Sequence, residues 1–427
     1  MVQAVQTFQV AEGRSLKAAL AKAERRNKIR AFVLVLPLLL FISFTFLAPI
    51  AQMMFRSIDN PVVAEVFPQT LKVLEEWNPG GAPTPPEKAY ETLATELAKG
   101  YKDRTVGRAA TRLNYSQGGM RSLITKTARQ ISRVQVGPFM EGRWKDKFLE
   151  IDKDWGDREV WTTIKYSGSP YTGEFFLKAL DLSYDWDKSI VPEPENRQLY
   201  FLTGFDSVWW RTFWISALVT VLCVLLGYPV AYLLANLPLR ISNLLMILVL
   251  LPFWTSLLVR TTAWIVVLQT EGVLNDVMMF LGIIDERIQL IFNRFGVVVA
   301  MTHILLPFMI LPIYSVMKTI PPSYERAARS LGATPWTAFW KVYFPQSLSG
   351  IGAGGLLVFI LALGYYITPA LVGGPTDQLV SYFIADHTNR SLNWGLASSL
   401  GAILLAGVLA VYVLYDKLVG IDNMKLG

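Results

Sequence analysis

The chain has 427 residues, 52% of them hydrophobic and 17% charged, with a mean hydropathy of +0.36, a balance too apolar for an ordinary soluble domain and typical of a polytopic membrane protein. The net charge of +7 does not point to nucleic acid, because the basic residues gather at membrane flanks, notably Arg14, Lys17, Lys22, Arg25, Arg26, Lys28 and Arg30. A single cysteine, Cys223, excludes an intrachain disulfide, and two histidines, His303 and His387, are too few for a histidine-rich metal site, so no metal is expected.

Residues 1–30 form a polar lead, rich in alanine and basic residues, expected to lie along the cytoplasmic face. The uncharged apolar run 31–54 is long enough at about 1.5 Å per residue to cross about 30 Å of hydrocarbon. It exceeds a signal-peptide core and shows no small-residue cleavage site, so it reads as span one. From 55 to 206 acidic and basic residues mix evenly and no span is present, which predicts a soluble insertion domain of about 150 residues, placed outside by the positive-inside rule. Within it, 86–99 and 105–134 read as helices, the second broken at Gly118 and Gly119, and 78–86 as a loop. Trp144, Trp155, Trp161 and Trp186 are expected in its core. The insertion has no histidine or cysteine, so a membrane-anchored enzyme would have to rely on carboxylates.

The apolar segments then return as span two at 211–235, three at 243–268, four at 295–317, five at 350–372 and six at 397–415. The expected fold is all-α and polytopic: six transmembrane helices, a core domain over 207–427, a cytoplasmic loop at 318–347 and both termini cytoplasmic. These spans hold no Asp or Glu, so a proton- or sodium-coupled secondary transporter has no evident relay. Arg260 is the one clear charge within a span; it reads either as a snorkelling side chain near the outer edge or as a gate or substrate contact. His303 is a packing residue or a second such contact. Gly350, Gly352, Gly354 and Gly355 allow close helix approach in span five. Beyond them Tyr365, Tyr366 and Thr368, with a carbonyl freed by Pro369, form either a translocation path or an aromatic belt. Trp254 joins these pathway candidates.

The loop between spans four and five carries Arg326, Arg329 and Lys341 against Glu325, which places it in the cytoplasm. It predicts a helix over 323–331 with Ser323 as N-cap, a left-handed stop at Gly332 and a second helix after Pro335. No G-x-x-x-x-G-K-[ST] loop is present, so the chain is not expected to hydrolyse nucleotide.

The spacing of Ala327, Ala328, Gly332, Val342, Phe344 and Pro345 resembles the cytoplasmic coupling loop of bacterial ABC importer permeases. Here the acidic residue usually found just before the alanines is Arg326, with Glu325 one position earlier. The resemblance extends from about Phe205 to the end and is closest to the spermidine/putrescine branch, through Leu251, Pro252, Phe253, Trp254 and Thr255, through Ile367, Thr368, Pro369 and Ala370, and through Asn393, Trp394 and Gly395. It implies the type I importer permease fold in a bacterial inner membrane. The implied partners are an ABC ATPase dimer carrying ATP and Mg, a second permease subunit and a periplasmic substrate-binding protein. The chain itself would bind no cofactor and catalyse no reaction. Glu325, Arg326, Ala327, Ala328, Gly332, Ala333 and Pro345 would form the ATPase-coupling loop. A polyamine is the implied solute; an opine or amino-acid-derived solute, and a secondary transporter or channel with an external domain, are the alternatives. The insertion at 55–206 departs from that branch, which usually has a short connection there.

Overall fold

The computed structural model describes residues 2–133, 144–193, 200–201 and 204–419, with backbone only for 2–20, 205 and 418–419. The sequence readings at Met1, Val134 and 420–427 lie outside the described residues. Among the described residues six helices are long and apolar enough to cross a membrane: Ala21–Arg56, Val208–Asn236, Leu257–Phe280, Arg294–Thr319, Pro335–Gly364 and Trp394–Lys417. They are called spans one to six below.

The chain divides into two units, 1–56 and 57–427. The first is a helix, Val2–Ile42, that passes through a π-helical turn at Ser43–Leu47 into Ala48–Arg56. Thr45 Oγ1 donates to Phe41 O at 2.7 Å beside that turn, the local competition with the helical ladder that lets such a turn widen.

In the second unit, 57–206 is mostly short helices around a core of its own. The Glu87–Lys102 helix buries Ala89, Tyr90, Leu93, Ala94 and Leu97, a spacing that lays all five on one face. Against it stand Trp155 and Trp161, both fully buried. Their indole N–H groups donate to Thr127 Oγ1 and Trp155 O, each at 2.9 Å, so the large rings are buried without stranding a donor. Trp144 is buried as well, but Trp186 is not a core residue: it lies half-buried on the domain surface under the Arg158 guanidinium, 4.8 Å from its ring. The all-α expectation also needs one amendment, a two-stranded antiparallel hairpin, Leu182–Tyr184 with Ile190–Pro192.

A buried polar knot closes this domain. Arg112 donates through Nε to Asn60 Oδ1 at 2.5 Å and pairs with Glu174 at 2.9 Å. Asn60 in turn donates to Ser167 O and Ser169 O, both at 2.8 Å, and Lys178 donates to Tyr115 O and Ser116 O. Burial would push the Glu174 carboxyl up, but Arg112 and Lys178 overcome it and hold it below the ordinary carboxylate range.

Spans two, four and five form the centre of the membrane-spanning part. Gly350 and Gly354 of span five lie against span four so closely that a Cβ on Gly354 would stand 2.9 Å from Met309 Sδ and 3.1 Å from Met309 O. Gly352 instead faces Tyr415 of span six, so the glycine run serves two neighbours.

Two expected spans are interrupted. Segment 243–268 is not one helix: Leu239–Leu250 gives way to a 3-10 turn, Leu251–Trp254, and a new helix starts at Leu257. Pro252 has no N–H to continue the ladder, and Ser256 accepts from Val259 N as a fresh N-cap. Segment 350–372 likewise breaks: the Phe344–Gly364 helix ends, Tyr365 is extended, and Ile367–Val372 follows. Pro369 cannot donate to the Tyr365 carbonyl four residues back, so the ladder stops there.

The helical domain is bolted to one end of the spans. Tyr200 Oη and His387 Nε2 lie 2.7 Å apart, His387 Nδ1 and Ser391 Oγ 2.9 Å, and Tyr115 Oη donates to Ser391 O at 2.8 Å. Phe175 fills the space at Gly395, where a Cβ would meet its ring at 2.4 Å.

Replacing Arg112 with Met leaves the Glu174 carboxylate buried with Lys178 alone, and is expected to cost about 3 kcal/mol or more, read as earlier proteolysis of the 57–206 region in a urea series on the full-length protein. The Glu174 contribution is complete above the ordinary carboxyl range and is lost as the pH falls through the depressed value. Arg112→Met should flatten that acid limb.

Candidate functional site

Two places gather the candidate residues, one beside His303 of span four and the other beyond its Lys318 end. Its 26 residues extend about 39 Å. At its first end Arg294 pairs with Asp377 at 3.2 Å; at its other end Lys318 Nζ donates to Ala235 O, the last turn of span two.

Past Lys318 the chain turns into the helix Pro322–Ser330. Ser323 is not its cap: the N-cap is Pro321, Pro322 takes the first helical position, and Ser323 sits inside the first turn. Proline's fixed φ suits that first position, where a missing N–H costs nothing, so the Pro-Pro pair starts the helix earlier than a serine cap would. Glu325 lies in the first turn and Arg329 in the last, each complementing the helix dipole.

The end of this helix explains the spacing of the motif. Gly332 has φ of +89°, a left-handed conformation that costs other residues about 1–2 kcal/mol. Its N–H reaches Arg329 O at 3.1 Å, and Ala333 N reaches back five residues to Ala328 O at 3.1 Å. These two bonds are the Schellman closure, which brings Ala328 and Ala333 together and turns the chain toward Pro335–Ala338. Glu325, Ala328 and Ala333 are half-buried, whereas Arg326, Ala327, Gly332 and Pro345 are exposed. Around them Leu331 is 91% and Trp336 72% exposed, large apolar groups that only a partner surface would cover.

A second helical start anchors the loop. The chain passes a π-helical turn, Phe339–Tyr343, and Pro345 sits in the first turn of the helix that follows. Tyr232 of span two stands edge-on to Phe339 at 5.6 Å and to Tyr343 at 5.3 Å, and Tyr228 Oη lies 3.0 Å from Ser347 Oγ. The sequence reading did not single out Tyr228, Tyr232 or Phe339; their only signal is a run of aromatics that hydropathy treats as ordinary span.

The second place is the broken region of spans three and five. Thr261 Oγ1 and Thr368 Oγ1 are 3.4 Å apart, both residues fully buried. One turn along, Trp264 Nε1 donates to His303 Nδ1 at 3.1 Å. Arg260 lies within electrostatic range of His303 and Tyr365, and its Nε is buried with no hydrogen bond among the described residues. Arg260, Tyr365 and Thr368 are thus brought together. Tyr366, next to Tyr365, is 41% exposed, and Trp254, at the end of the Leu251–Trp254 turn, is 74% exposed. Because span three restarts at Leu257, Arg260 is the fourth residue of a new helix rather than a residue deep in one continuous from 243. Its own signal, a charge shortly after a Pro and Ser pair, marks a helix start.

With this geometry in view, residues 224–420 match the family of binding-protein-dependent transport system inner membrane components. The chain is 35% identical over 227 residues to the spermidine/putrescine transport system permease protein PotB of Haemophilus influenzae, covering 52% of this chain and 79% of that one. The chain belongs to this permease family. The Escherichia coli PotB is 34% identical over 46% of this chain and 72% of its own. A solved bacterial ABC transporter involved in the import of the acidic polysaccharide alginate aligns over 51% of this chain and 81% of its own, at 17% identity and a TM-score of 0.41. The permease is a multi-pass inner-membrane transport subunit without catalytic activity of its own; its family binds no cofactor and ATP is hydrolysed on a separate ATPase.

Gly332→Val forces a β-branched side chain into the left-handed position. The permease should still reach the membrane, but amides 327–333 should exchange several-fold faster in hydrogen-exchange mass spectrometry, consistent with about 1–2 kcal/mol of strain.

Proposed function

We propose that the chain is the membrane-spanning subunit of an ATP-driven importer that carries a small organic solute inward by alternating access. The observation that carries this reading is the Pro322–Ser330 helix, closed at Gly332 and surrounded by the exposed Leu331 and Trp336. Such a rigid, partly apolar projection has the form of a part seated in another protein. An ABC ATPase dimer would hold it, and closure of that dimer on ATP would rotate spans four and five through the Phe339–Tyr343 aromatic wedge. In this reading the projection and both termini are cytoplasmic, and the 57–206 domain faces outward, where a periplasmic substrate-binding protein would deliver solute. A second permease subunit would complete the pathway.

The names of the similar PotB proteins support a polyamine as the solute. Trp254, Tyr365 and Tyr366 could attract an ammonium through their ring faces. One observation favours a second solute class: Arg260 Nε is buried with no acceptor among the described residues, and a half-buried guanidinium with an open donor suits a carboxylate, as on an amino-acid-derived or opine-like solute.

In proteoliposomes with its ATPase, Gly332→Val is expected to leave ATP hydrolysis measurable while solute uptake falls at least tenfold; normal uptake would remove the coupling role. Arg260→Ala separates the solutes. Retained putrescine uptake with lost uptake of a carboxylated analogue supports the second class, and unchanged uptake of both removes Arg260 from the pathway.

A further inference from the structure

A cavity of about 280 Å³ lies in the 57–206 domain, between the end of the Val106–Ser116 helix, the Arg158–Tyr166 helix, the Glu174–Lys178 helix and the Leu182–Tyr184 strand. Ten of its fourteen lining residues carry a hydroxyl and none is aliphatic. That composition is the reverse of the domain's own core. Hydroxyls that line a cleft can both donate and accept, so a wall of this kind matches a polar occupant.

Part of the wall is held by the protein itself. Ser116 Oγ and Ser167 Oγ are 3.2 Å apart, Thr163 Oγ1 donates to Gln117 Oε1 at 2.9 Å, and Tyr166 Oη donates to Trp186 O at 2.6 Å. Ser183 Oγ and Tyr184 Oη have no hydrogen-bond partner among the described residues. Asp185 accepts Trp186 N at 2.7 Å and retains acceptor capacity.

The charges choose the ligand class. Glu174 is already matched by Arg112 and Lys178. Asp185 and Lys188 remain and cancel, with Lys188 Nζ lying over the Tyr166 ring at 5.0 Å. A polyamine or a phosphate would need a surplus of the opposite sign. Neutral walls of hydroxyls and tyrosine faces suit a compound that is itself hydroxyls on a carbon ring, and the volume is at the lower limit of about 300 Å³ for ligand pockets.

We propose that this cleft binds an uncharged polyhydroxyl ligand of one or two sugar rings, and that span six registers its occupancy through the Glu174–Lys178 helix. Glu174 lines the cleft, and the next residue, Phe175, is buried with Leu396 and Leu400 of span six and abuts Gly395. A shift of that helix therefore meets the start of span six directly. The proposal is independent of which solute the spans carry.

The test is calorimetric titration of the full-length protein in lipid nanodiscs with glucose, with maltose, with soluble cell-wall glycan fragments and with putrescine. Saturable binding of a free sugar marks a soluble ligand, and binding of the glycan fragments alone marks an envelope anchor; either supports the cleft. Tyr184→Phe, at a residue 40% exposed, should keep the thermal midpoint and weaken binding about fivefold, as should Ser183→Ala. Absence of saccharide binding, binding of putrescine instead, or affinities unchanged in both variants would overturn the site. Slower hydrogen exchange over 394–400 at saturation is the expected coupling signal, and unchanged exchange would overturn the link to span six.

Discussion

Within hydrocarbon, an apolar side chain gains little by leaving lipid for protein, so helices hold together through close contact and shared polar bonds. The approach of span five to span four at Gly350 and Gly354 is where this constraint is met most tightly. Because no Cβ intervenes, dispersion contacts form between backbone and Met309 at a spacing that larger residues would forbid. Span four is consequently the most buried of the six. Both the polar cluster around His303 and the projecting loop beyond Lys318 take their positions from it.

Rigid packing at the centre allows irregular backbone beside it. The breaks at Pro252 and Pro369 release carbonyls that lipid could not satisfy, and the helices that restart after them, Leu257–Leu268 and Ile367–Val372, pack on each other. The breaks also turn side chains that a continuous helix would spread around its circumference into one group, Arg260, Thr261, Tyr365 and Thr368. Just beyond the Ile367–Val372 helix, Arg211 donates through Nε to Gln378 O at 3.0 Å and also reaches Thr376 O. Together with the Arg294 and Asp377 pair this holds the loop that follows span five.

What could be read from the chain alone follows the range of the interactions. The turn at Gly332 is legible because the Schellman closure is local, all its partners falling within 327–333. The serine cap was misplaced since two adjacent prolines outweigh one hydroxyl at a helix start. Hydropathy, averaged over a window, passes across Pro252 and Pro369 without registering them, and the broken spans were therefore read as whole. Contacts such as Tyr200 with His387, 187 residues apart in the chain, leave no pattern in local periodicity. The same is true of the hydroxyl-lined cleft, whose walls come from four separate elements.

The closure at Gly332 also sets how this projection could change over time. Its helix ends through bonds counted in whole residues, from Arg329 to Gly332 and from Ala328 to Ala333. One added or lost residue in that interval would not lengthen or shorten the projection smoothly; it would swing the following chain by about 100°. A change of length here would therefore re-aim everything that follows, whereas a change of side chain would leave the direction of the chain intact.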